Sequence, residues 1–211
     1  VHALTDKDFE SDPWFRYRRE GDVTLIELKL LRVEQLFNSL DPSPFHEKDL
    51  DHDAEAYIVE SLRDLQPRTP VKLVVYLPAE AMIEPEAKAA PDAIRHYFDY
   101  CHDATMRRLR LLLREGRTTL LLGLVFLFSC IALRQIFLRV PTTTLEDILS
   151  EGLLILGWVA MWKPVEMLLY DWWPLRRLAH IYAHLASIDV ELRPREQMPA
   201  AKGQRQSSAV R

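Results

Sequence analysis

Residues Thr118 to Leu138 read TTLLLGLVFLFSCIALRQIFL, and residues Gly152 to Tyr170 read GLLILGWVAMWKPVEMLLY. A helix rises about 1.5 Å per residue and needs roughly 20 apolar residues to cross a bilayer. The first stretch supplies 21, of which the first 16, through Leu133, carry no charge. Leucine and phenylalanine run around its whole helical circumference, whereas a helix on the surface of a soluble core keeps a polar face. Arg134 falls near the far end, where its long stem lets the guanidinium reach the headgroups. With a thirteen-residue polar connection between them, Arg139 to Glu151, the two stretches predict a two-pass transmembrane hairpin.

The second stretch is interrupted by Lys163, Pro164 and Glu166. Pro164 has no amide hydrogen to offer the Ala160 carbonyl, so a kink is expected there. Lys163 and Glu166 stand three residues apart on one face and can pair, which lowers the cost of each in a low dielectric. Two readings of the pair follow. Both groups snorkel to an interface marked by Trp172 and Trp173, or they make a polar contact between subunits or along an ion path.

Orientation follows from the flanking charge. Arg107, Arg108, Arg110, Arg114 and Arg117 precede the first span and Arg176 and Arg177 follow the second, while the connection holds one arginine against three acids. Positive residues stay on the cytoplasmic side, so both termini are expected there, and a bacterial plasma (inner) membrane is expected because no targeting peptide is read in the sequence. The segment Val1 to Phe15 is polar and charged, so no cleavable secretory signal is expected in it and insertion falls to an internal segment. Cys101 and Cys130 lie too far apart on one predicted helix to bridge. Both read as reduced, small hydrophobes.

Charge is segregated along the chain. Residues 1–100 carry 21 Asp or Glu against 12 Lys or Arg, a net of minus 9, and the rest carries plus 5 to reach minus 4. An acidic region is repelled by phosphate, which argues against nucleic acid as a partner.

Within that region Val23 to Leu30 alternates as a half-buried strand, and Val71 to Leu77, VKLVVYL between two prolines, reads as a central strand. Val33 to Leu40 and Ala54 to Leu65 have helical spacing, giving strand, helix, helix, strand. The stretch Ala79 to Ala90 is interrupted by Pro85, and Pro91 suits the first turn of a helix that runs without further proline to Pro141. Gly116 is its weak point, costing about 1 kcal/mol relative to alanine. Pro174 opens a helix over Leu175 to Ala186, and Ile188 to Leu192 alternates as a short strand able to return to the sheet as an edge.

The predicted fold class is thus an α+β membrane protein: a small cytoplasmic α/β domain joined by a long helix to a two-helix hairpin. The expected divisions are a polar segment 1–20, the α/β domain 21–100, a basic helical stalk 101–117, spans 118–138 and 152–170, a helix and strand 174–193, and a disordered tail 194–211.

The densest candidate chemistry lies between Asp41 and Glu60, where His46, Glu47, Asp49, Asp51, His52, Asp53 and Glu55 crowd before a helix. Asp49, Asp51, Asp53 and Glu60 match positions one, three, five and twelve of a calcium loop, yet Ala54 stands where that loop needs glycine. Helix capping and turn formation account for the same residues. His180 and His184 are one helical turn apart, without a third ligand in the sequence. No phosphate-binding glycine loop and no nucleophile elbow occurs. No residue is therefore assigned a catalytic, cofactor-binding or metal role, and no cofactor is expected. The expected function is that of an accessory, scaffolding or regulatory subunit held in the lipid bilayer, its partner another protein or a second copy. The alternatives are a membrane-bound metal-dependent enzyme or sensor using residues 46–55, and a subunit of a small channel or transporter using Lys163 and Glu166.

Overall fold

The computed structural model describes residues 17–65, 69–137 and 144–198. Most of the expected polar N-terminal segment, Leu138 at the end of the first span, residues 139–143 of the connection and the tail from residue 199 lie outside the described residues. The chain divides into two compact units, Val1–Tyr100 with Ile181–Arg211, and Cys101–His180.

The first unit is a small α/β region around a four-stranded sheet, in the order β1 (Arg19–Glu20), β2 (Val23–Lys29), β3 (Val71–Leu77), β4 (Asp189–Pro194). β1 and β2 form a hairpin through Gly21 and Asp22, with Gly21 at φ 63°, a left-handed conformation that costs glycine nothing. β2 and β3 pair in parallel with Thr24 opposite Val71, and β3 and β4 in parallel with Lys72 opposite Asp189. β3 is the central strand its sequence predicts: Leu73, Val74, Val75, Tyr76 and Leu77 are all buried. β4 takes the edge position.

Crossing from β2 to β3 are a 3-10 turn, Val33–Leu36, and helix α1, His52–Asp64. The helix expected over Val33 to Leu40 is thus only a single tight turn. Its two apolar residues, Val33 and Leu36, are buried at a spacing of three, the eclipsed period of a 3-10 turn. The Gln35 side chain accepts the Leu31 and Arg32 amides at 2.8 and 3.3 Å, and the chain then extends so that Phe37 bridges Leu50. α1 buries Ile58, Val59 and Leu62 and packs on β2.

Helix α2 runs from Pro85 to Phe137. It starts two turns earlier than Pro91 predicts, because Pro85 itself suits the first helical position, where no amide hydrogen is needed. Ala87, Ala90, Ile94 and Phe98 are its buried stripe in the first unit. Helix α3, Thr144–Glu166, passes into a wider π turn, Met167–Asp171, and then helix α4, Trp172–Ser187. The helix expected over Leu175 to Ala186 is present as α4, with Pro174 in its first turn rather than at its opening, because the π turn runs into it without a break. The π turn sits between Pro164 and Pro174, each of which withholds an amide hydrogen that a regular turn would use. Helix also extends back to Thr144 through part of the polar connection; polar composition argues against burial in lipid, not against helix.

The second unit is a pair of antiparallel helical runs. Leu127 and Cys130 lie against Gly157, Gly123 against Ala160, Met161 and Pro164, and Gly116 against Met167 and Leu168. Further along, His102 Nδ1–H donates to the Ala179 carbonyl at 2.9 Å. Gly116, read from sequence as the weak point of the helix, is instead a point of close approach: a Cβ there would stand 3.1 Å from Leu168 Cδ2. Two helical runs, Pro85–Ile136 and Glu151–Ser187, are long and apolar enough to cross a membrane.

One face of the sheet carries an ion network that links three of its strands. Arg193 donates to Glu20 through Nη1 and Nη2 at 2.6 and 2.9 Å and to Glu191 through Nε and Nη2 at 2.8 and 2.9 Å. Lys72 Nζ lies 2.8 Å from Asp189 and 3.0 Å from Glu191. Hydrogen bonds from Arg193 are the main cause that pulls both Glu20 and Glu191 from an ordinary 4.5 down to about 2, and Lys72 adds to the pull on Glu191. A carboxylate held below its unfolded value stabilises the fold above that value and loses its contribution as pH falls toward the folded one. Stability should therefore decline between pH 4.5 and about 2. In Arg193→Gln the folded values return toward 4.5, so the slope of thermal midpoint against pH over that window should flatten; an unchanged slope would refute the assignment.

Candidate functional site

The segment from Asp41 to Glu55 enters α1 through a short 3-10 turn, Phe45–Glu47, whose Phe45 ring packs on Phe37 with centroids 4.6 Å apart. Its carboxylates do local work. Asp41 accepts the amides of Ser43 at 2.9 Å and Asp49 at 2.8 Å, and the Asp49 amide is the main cause that holds its pKa below the ordinary value. Asp51 is the N-cap of α1 and accepts the Asp53 amide at 3.0 Å. Asp53 and Glu55 lie in the first turn, where negative charge offsets the helix dipole. Asp49 behaves differently: burial, with the charges of Asp41 and Glu55, pushes its pKa up.

The calcium-loop spacing is not realised as a loop, since residues 52–64 are helix and Glu60 stands exposed upon it. His46 and Glu47 approach to 3.4 Å with both side chains exposed. Among the described residues, no three His, Cys, Asp or Glu side chains are placed to hold a metal ion.

Two features of this region are not visible in the sequence. A cleft of about 360 Å³ is lined by Asp41, Glu47, Asp49, His96, Tyr97 and Tyr100, so the start of α2 supplies one wall. Beside it Glu55 is held from two sides, Tyr97 donating at 2.9 Å and Tyr182 at 2.7 Å. Tyr182 also stacks on Phe98 with centroids 6.2 Å apart. Glu55 thereby ties α1 to both α2 and α4 within the first unit. The contact joins residues 127 apart in sequence, and no local pattern announces it.

The other candidates stand on the helical runs. Lys163 Nζ lies 3.3 Å from Glu166 and 3.9 Å from Asp171, so the predicted pair forms and gains a third member. The side chains of Lys163 and Glu166 are 64% and 46% exposed. His180 and His184 border different clefts, His180 beside Trp172, Trp173, Arg176 and Arg177, and His184 beside Val71, Lys72 and Ser187.

The second unit leaves its apolar side chains outward. Phe128 is 63% exposed, Ile155 64%, Trp158 70% and Trp162 76%, and only 11% of each apolar window is buried. The residues that are buried in the pair include Gly116, Gly123, Cys130, Gly157 and Pro164, small or compact groups that let two backbones approach. A comparison of the chain with known protein families, with curated proteins and with solved structures finds no match.

Proposed function

We propose that the chain is a two-pass integral protein of a bacterial inner membrane, with both termini cytoplasmic, acting as an accessory, scaffolding or regulatory subunit through its α/β unit. One observation carries the membrane part of this reading: leucine, phenylalanine and tryptophan side chains stand exposed on both helical runs. In water each such side chain, once covered, gains about 1.5–3 kcal/mol, and lipid is a solvent that covers all of them at once. Packing through glycine rather than through large apolar side chains supports the same solvent, since lipid supplies no hydrophobic force between helices. The partner part rests on chemistry. The acidic segment is engaged in capping, in turn formation and in tyrosine contacts, which leaves binding through protein surfaces as the better-supported role.

Membrane residence is tested by washing membranes in alkaline carbonate. The full-length chain is expected in the pellet and to need detergent for release; a folded, monodisperse chain in the supernatant would overturn the reading. A reporter fused to the C-terminus is expected to be active only on the cytoplasmic side. The subunit role is tested by exchanging residues 118–170 for an unrelated two-pass hairpin and quantifying co-purifying proteins. Retention of the same partners supports recruitment by the α/β unit, and their loss would overturn it.

A further inference from the structure

Three basic side chains of the second unit form a stripe. Arg110, Arg114 and Arg117 stand four and three residues apart on α2 and so share one face, and Leu121 and Val125, both exposed, continue that face by one and two turns. Between the arginines lies a cleft of about 540 Å³, bordered also by Leu113 and Thr118. Arg110 is steadied by donating its Nε–H to the Met106 carbonyl at 3.3 Å. Among the described residues, no carboxylate pairs with Arg114 or Arg117. The two helical runs are antiparallel, so α4 brings Trp172, Arg176 and Arg177 to the same end of the pair. There the Arg176 guanidinium lies 5.7 Å from the Trp172 ring centroid, at the edge of a second cleft of about 430 Å³.

We propose that this end of the helix pair binds an anionic phospholipid, with Arg114 and Arg117 taking the headgroup phosphate and Leu121 and Val125 lying along an acyl chain. The planar guanidinium fork matches phosphate oxygens two at a time. Inorganic phosphate or a nucleic acid satisfies the arginines alone. A phospholipid satisfies the arginines and the adjoining apolar face together, and the tryptophans at the same end have the amphipathic rings that settle at headgroup depth. The acidic α/β unit, repelled by the same headgroups, leaves the helix pair as the place where such a lipid is held. This inference rests on the membrane reading above.

The test uses the full-length chain in a neutral detergent and native mass spectrometry, with phosphatidylglycerol set against phosphatidylcholine of identical acyl chains. Phosphatidylglycerol is expected to be retained in preference by about tenfold or more. Arg114→Gln with Arg117→Gln should abolish the preference, and the paired lysine substitutions should keep part of it, since charge survives and the fork does not. A large excess of inorganic phosphate should leave the bound lipid in place. Equal retention of the two lipids, a preference that survives the glutamine pair, or displacement by inorganic phosphate would each overturn the proposal. A chain that resists carbonate yet shows no preference overturns this inference alone, whereas a chain released by carbonate overturns the membrane reading first.

Discussion

Gly157→Leu is expected to lower the thermal midpoint of the detergent-solubilised protein by about 3–10 °C, an overpacking cost of about 1–3 kcal/mol spread over a chain of this size. Even a Cβ at this position would stand 2.8 Å from Leu127 Cδ1 and 3.4 Å from Cys130 Cβ. Leu127 can turn its methyl aside for alanine, but a leucine must displace the Leu127 backbone, whose Cα lies 3.5 Å away, and with it the facing helix. Cys130, 4% exposed in the native pair, gives an independent readout: its alkylation by a small maleimide should accelerate as the helices part. The control is Gly152→Leu. A Cβ at Gly152 meets nothing within 4 Å, so this substitution adds the same side chain to the same helix without a clash, and its midpoint should hold or rise. Equal behaviour of the two variants would show that close approach at Gly157 does not hold the pair together.

Residues 1–100 expressed alone are expected to lack a cooperative unfolding transition, and joining them through a flexible linker to residues 181–198 is expected to restore it. The first unit is discontinuous in the chain, and its fourth strand follows the helix pair in sequence. Without that return, β3 keeps a bare edge along its whole length, and the buried side chains of Leu185, Ile188 and Val190 are lost. Each contributes about 1.5–3 kcal/mol. Their sum rivals the whole stability of a small domain, about 5–15 kcal/mol. The ion pairs from Arg193 and Lys72 go with them. Circular dichroism and a denaturant titration of the two polypeptides decide the matter, and a sharp transition from residues 1–100 alone would contradict it.

The features legible in the sequence were those with a local pattern. β3 announces itself as VKLVVYL bounded by prolines, and the apolar helices by their length alone. The alternation of β2 marks it as a strand, and the crossover between β2 and β3 allows the parallel pairing that the structure shows without requiring it. What failed had ambiguous or distant determinants. Val33 and Leu36 fit a helical stripe and a single 3-10 turn equally well, and the bridge from Phe37 to Leu50, thirteen positions on, decides between them by strand-like pairing. Gly116 has one cost in an isolated helix and another value beside Leu168, a neighbour about fifty residues on. The Arg193 to Glu20 contact spans 173 residues, and alternation in β4 shows only that Arg193 shares a face with Glu191. Of the candidate chemistry, a capping role for the acidic segment before a helix was readable, while its assignment to Asp51 and the grip of Tyr97 and Tyr182 on Glu55 required the fold.

The late return of β4 also imposes an order on biosynthesis. A ribosome that has finished β3 must still translate both apolar runs before Asp189 appears, a delay of roughly 6–20 s at about 5–20 residues per second. Throughout that interval the residues before β4 lack the strand that completes their sheet. Maturation of the α/β unit is thus timed to follow synthesis of the helices, and a ribosome stalled between the two leaves an incomplete unit for chaperones to shield.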